Sequence, residues 1–116
     1  MPLLPGIDTA RGLRHVAGNE TLYLQLLDRF RNSQRDAANE VATELLHCER
    51  DAARKRAHTL RGVAGNVGAN AVEAAARAIE ELLDGGEVPA ATLVEELTGA
   101  LRTAIAGLDV HFGTVP

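Results

Sequence analysis

Aromatic side chains are nearly missing from this 116-residue chain, which has no tryptophan, one tyrosine and two phenylalanines. A core must therefore be assembled from Ala, Leu, Val and Ile, which suits packed helices better than a β-sandwich. Cysteine occurs once, as Cys48, so no internal disulfide can form and nothing points to an oxidising compartment. No apolar run approaches the roughly 18 residues of a membrane span, and no basic segment precedes a long apolar one at the N-terminus. An excess of positive charge is lacking too. The formal net charge of −4 argues against a general nucleic-acid binder. The chain reads as cytosolic, or as the cytosolic part of something longer.

What is present is helical periodicity, over a length that can bury a real core in one domain. "MPLLPG", residues 1–6, reads as a leader or the end of a linker. Asp8 is the expected N-cap of a short helix closing near Gly18, and Asn19 that of a second. The second helix carries Leu22, Tyr23, Leu26, Leu27 and Phe30 on one face. Ala38, Val41, Ala42 and Leu45 mark a third, which either continues the second or is broken from it near 33–35. Asp51 is the expected cap of a fourth, ended by Gly68. Asn70 and Glu73 suggest a loose capping box for a fifth, whose stripe is Val72, Ala76, Ile79 and Leu83. "DGGE" ends it, and Pro89 suits the first turn of a sixth helix, with Leu93, Leu97, Leu101, Ala104 and Leu108 running towards Phe112. The expected architecture is all-α: an antiparallel four-helix-bundle core with a short additional N-terminal helix over residues 7–112, and a frayed tail over 113–116.

The stretch "KRAHTLRGVAGNVGA", residues 55–69, sets two glycines inside a helix, each at a cost of about 1 kcal/mol relative to alanine. Sorted at about 100° per residue, Ala53, Ala57, Leu60, Ala64 and Val67 face the core. His58 lies on the opposite, solvent side, among Arg54, Lys55 and Arg61 and beside Gly62 and Gly65. An imidazole nitrogen is a competent nucleophile, and neighbouring cations offset the charge of a phosphoryl group and donate to its oxygens. The glycines would leave a bare strip on which another protein's backbone could approach. If the chain reverses at residues 68 and 69, Glu80 falls at the height of His58, where it could accept a hydrogen bond and fix the tautomer of the ring.

Ala57-His58-Thr59-Leu60-Arg61-Gly62, then Ala64 and Val67-Gly68-Ala69, resembles the signature of histidine-containing phosphotransfer (HPt) domains of bacterial phosphorelays. "GIDTARGLRHVAGN" and "LYLQLLDRF" are similar to the upstream part of the family, so the resemblance covers roughly residues 6–84. It implies a helical bundle in which His58 takes a phosphoryl group from a receiver-domain aspartate and passes it to another receiver. Gly62 then occupies the docking surface, and Arg61 replaces the usual lysine with a planar, differently shaped cation. The resemblance implies a carrier rather than a turnover enzyme, and magnesium supplied by the partner receiver. The chain itself has neither a phosphate-binding loop nor a kinase signature. The partners implied are response-regulator receivers, with no nucleic acid and no direct membrane contact, and the isolated domain is expected to be a monomer. The "LLPGID" start resembles a linker-to-domain junction of a hybrid sensor kinase, so a parent chain could be membrane-anchored.

Alone, a histidine on a basic helix face is most simply an incidental surface residue, and Arg54 and Lys55 a solvated face. A partner-recruiting adaptor bundle without chemistry stays open as an alternative. A metal or cofactor bundle would need inward-facing Glu and His pairs, which the apolar stripes lack. His15, His47 and His111 have no metal-ligand spacing, and no metal site is expected.

Overall fold

The computed structural model describes residues 3–113, and every regular element among them is an α-helix. Six helices follow in order: α1 (Thr9–His15), α2 (Glu20–Ser33), α3 (Ala37–Leu46), α4 (Arg50–Val67), α5 (Asn70–Asp84) and α6 (Ala91–Phe112). Both α2 and α3 pack on α4 and α6 but not on each other, so they make one column, interrupted at 34–36. With α4, α5 and α6 that column closes a four-helix bundle, and α1 lies as a short extra helix across α4 and α2. No helix among the described residues is long and apolar enough to cross a membrane.

The apolar stripes are the core. Ala53, Ala57, Leu60, Ala64 and Val67 of α4 are all buried, as are Val72, Ala76, Ile79 and Leu83 of α5 and Leu97, Leu101, Ala104 and Leu108 of α6. Leu22 and Ala42 differ from expectation and are exposed. Each lies about 100° round its helix from a buried neighbour, Tyr23 or Val41, at the edge of a narrow arc.

Local chemistry sets the ends. The Asp8 and Asn19 side chains accept from the backbone N–H groups of Arg11 and Leu22, as caps should. Asp51 does not cap α4, which begins one residue before it; its carboxylate pairs with Arg54 and Lys55 instead. The capping box at Asn70 and Glu73 is also overturned, because both side chains turn outward to bind Arg11 of α1. Pro89 precedes the Ala90 N-cap of α6 rather than lying in its first turn.

The leader is not loose where it is described. Leu4 is in the core, and Pro5 lies against Gly107 of α6, where a Cβ would come within 2.7 Å of Pro5 Cδ. Leu4 and Pro5 are thus seated on the bundle, because burying Leu4 outweighs the freedom of a linker, while Leu3 stays exposed. Residues 1–2 and 114–116, the rest of the expected leader and tail, lie outside the described residues, and Gly113 caps α6 in the left-handed conformation.

The α4–α5 reversal gathers the N-terminal half. Gly68 adopts φ +85°, and a Cβ there would collide with the Asp8 backbone carbonyl. Asp8 N–H donates to Gly68 O at 2.8 Å, and the buried Tyr23 hydroxyl donates to Val67 O at 2.7 Å. Gly12 is bare because the Tyr23 ring occupies the space its side chain would need.

Two consequences are measurable. Tyr23→Phe leaves the Val67 carbonyl without its phenol donor and should lower stability by about 1–2 kcal/mol in urea unfolding. Burial, and to a smaller degree the Asp8 charge, push the Tyr23 phenol up to about 12. Its folded value lies above the unfolded one near 10, so this contribution is full below pH 10 and is lost as pH rises from 10 to 12. Tyrosinate absorbance of this single tyrosine should therefore rise together with loss of helical circular dichroism, and not before it.

Candidate functional site

Burial of Ala57 and Leu60 fixes the rotation of α4 so that His58 between them stands off the core, with its side chain 60% exposed. Glu80 follows the buried Ile79 on α5, and its side chain is only 9% exposed. The two meet across the helix pair, with His58 Nδ1 2.6 Å from Glu80 Oε2. An ionised carboxylate only accepts, so the proton of this bond belongs on Nδ1. The lone pair of a neutral ring is then on Nε2, on the outward side.

Arg61, one turn beyond His58, completes the group. Its Nε is 3.1 Å from Glu80 Oε1, so the carboxylate is shared between the guanidinium and the imidazole. Both its oxygens are engaged, which is what a buried charge requires. Arg61 Nη2 also lies 3.5 Å from His58 Nδ1. With the Nδ1 proton directed to Glu80, that approach is electrostatic contact and not a hydrogen bond.

The remaining predicted positions divide. Gly62 is exposed, and a Cβ built on it would meet nothing within 4 Å. Gly65 is not bare: Glu73 lies over it, and a Cβ there would be 2.5 Å from Glu73 Oε2. The strip anticipated over two turns is therefore open at Gly62 and covered at Gly65, because Arg11 holds the Glu73 carboxylate in place. Of the three cations expected around the histidine, only Arg61 has a contact with its ring. Arg54 pairs with Asp51 at 3.4 Å and Asp84 at 3.8 Å, and Lys55 with Asp51 at 3.4 Å. The hydrogen bond from Lys55 is the main reason that the Asp51 carboxyl is held below its usual range.

A groove of about 520 Å³ opens beside Arg61 and Gly62. Arg11, Arg14 and His15 of α1 form its far wall, and Glu73 and Arg77 of α5 contribute to it. Sequence reasoning placed none of these residues at the site. The bond from Arg11 to Glu73 spans 62 positions, and no spacing rule connects α1 with α5.

Residues 25–110 match the Hpt domain family. No curated protein matches the chain. Among solved structures, the fold is similar to the crystal structure of the HPT domain from the Hpt sensor hybrid histidine kinase from Shewanella, with a TM-score of 0.85. The two are 15% identical, over 95% of this chain and 96% of that one, a likeness of fold.

Replacing Glu80 by alanine should release the ring. In ¹⁵N-resolved NMR the wild-type His58 should show the Nδ1–H tautomer, and Glu80→Ala should shift it towards the Nε2–H form. An unchanged tautomer in the variant would show that the carboxylate does not set it.

Proposed function

The chain belongs to the Hpt domain family, and from that membership we propose that His58 is its phosphoryl carrier, loaded by the phosphoaspartate of one receiver domain and unloaded by the aspartate of another. Histidine phosphotransfer in phosphorelays, through interaction with receiver domains, is the family's work. The observation that carries the assignment is the 2.6 Å contact of His58 Nδ1 with a buried carboxylate, which leaves Nε2 of this exposed side chain for the attack.

In this reading the Nε2 lone pair attacks phosphorus, the phosphorus–oxygen bond of the aspartyl phosphate breaks, and the aspartate leaves as carboxylate. The product ring carries phosphorus on Nε2 and the proton on Nδ1, and is a cation. Glu80 then faces positive charge, and a bond charged only on the acceptor side becomes charged on both sides. Loss of such a bond corresponds to about 1.5–3 kcal/mol. The N–H groups of Arg61 not turned to Glu80 are available to phosphoryl oxygens. Arg54 and Lys55 add longer-range positive charge, reduced by their pairing with Asp51. Delivery is the same step reversed onto a second aspartate. The cofactor part of the proposal is that the magnesium ion comes with the receiver and that the chain contributes none.

Gly62 supplies room for the partner's backbone, and this is the function we assign to a poor helix former at that position. Gly65 has a different role, as the seat of Glu73.

Transfer from a phosphorylated receiver domain to wild type and His58→Gln tests the carrier directly. The expected label is acid-labile, base-stable and confined to wild type. A label that survives the substitution overturns the site, and full signalling by His58→Gln would favour an adaptor without chemistry. Glu80→Ala should slow receiver-to-His58 transfer about 10- to 100-fold, on the energy of a charge-assisted bond. Gly62→Leu should impair transfer while leaving the melting curve in place; normal transfer would show that the partner does not approach there.

A further inference from the structure

The charges around His58 are lopsided. On the side towards Asp51 and Asp84, Arg54 and Lys55 are paired with those carboxylates. On the other side the groove wall carries four guanidinium groups, of Arg11, Arg14, Arg61 and Arg77, and the ring of His15, against the single carboxylate of Glu73. Behind that wall, Glu80 takes Arg61 and Asp8 lies near enough to Arg14 to feel its charge. The Arg14 guanidinium itself has no hydrogen bond or ion pair among the described residues. Arg77 reaches Glu73 only at 3.4 Å and is 48% exposed. Arg11, by contrast, is spent on Glu73 and Asn70.

We infer that this groove is the electrostatic half of the receiver-docking surface, and that Arg14 and Arg77 take acidic side chains of the receiver seated over His58. The inference rests on the phosphotransfer reading and deepens it. Charge complementarity identifies the occupant: a surface that holds a phosphoaspartate and a divalent cation beside it is built from carboxylates. Continuity supports it as well, because Arg61 and Gly62 belong both to the groove and to the surroundings of His58. The chain as a whole is negative, whereas along this wall four guanidinium groups face one carboxylate, so an acidic partner is favoured there. The groove thus steers encounter and sets the rotation of the receiver about His58, with its acidic rim towards α1 and α5.

Arg11 has a separate task. Its bonds to Asn70 and Glu73 hold α1 on α5, and so hold Arg14 at the groove edge. Its hydrogen bond is the main reason that Glu73 stays ionised below the usual carboxylate range.

The test compares two phosphoryl donors on the full chain. One is the receiver that labels wild type fastest in a panel of purified, phosphorylated receiver domains. The other is phosphoramidate, a small donor that places phosphorus on imidazole with release of ammonia. Arg14→Glu and Arg77→Glu should each lower the second-order rate of transfer from the receiver about tenfold at low salt and flatten its salt dependence. The first-order rate at saturating receiver and labelling by phosphoramidate should stay at wild-type values. Arg14→Gln should fall between, and its helical circular dichroism serves as the fold control. Wild-type rates and salt dependence in the charge reversals overturn the docking assignment and leave the carrier reading intact. Equal slowing with both donors also overturns it, by placing these arginines on the small anion rather than on a protein. A wild-type chain labelled by phosphoramidate but by no receiver overturns both readings.

Discussion

The reversal of the chain at Gly68 is the constraint on which the rest of the structure depends. Its φ of +85° lets α4 end and α5 begin within two residues, and this places both helices in fixed register. His58 stands ten positions before Gly68 and Glu80 twelve after it, so the rise of about 1.5 Å per residue brings them to one height. The same turn receives Asp8 and Tyr23, which attach α1 and α2. A side chain at Gly68 would therefore disturb the backbone of α1, the α4–α5 register and the site together. Function and fold share one turn.

The site balances a buried charge against its partners. A carboxylate as enclosed as Glu80 is costly to bury, and both its oxygens are answered, one by Arg61 and one by His58. That arrangement makes the ring rigid from one side while leaving the other side to solvent. It also explains why arginine serves where the family's usual residue is lysine. A planar guanidinium can hold Glu80 through Nε and still keep N–H groups for another anion, whereas an ammonium is a point charge.

The docking we propose divides in the same way between openness and charge. Gly62 offers an approach without side chains, and the groove wall beyond it offers positive charge in a chain whose total is negative. Both follow from a rigid apolar core that fixes which faces of α1, α4 and α5 look outward.

Much of this was legible in one dimension. Periodicity identified five or six helices and the buried stripe of α4, and it put His58 on the solvent face, because 100° per residue is a property of the backbone. Antiparallel counting across Gly68 found Glu80. What local rules misassigned were side chains with a choice of partner: Asp51, Asn70 and Glu73 suit caps by type, yet each binds a cation instead. Leu4 and Pro5 have the composition of a linker, and only the surface of α6 decides that they are buried or seated. The sequence by itself determined the helices, the faces and the His58–Glu80 level. Tertiary structure alone decided that Gly65 is covered, that Arg54 also reaches Asp84 of α5, and that α1 adds a basic wall. The physical reason is range: helical periodicity and a tight turn act over a few residues, whereas Arg11 meets Glu73 only after the whole bundle has closed.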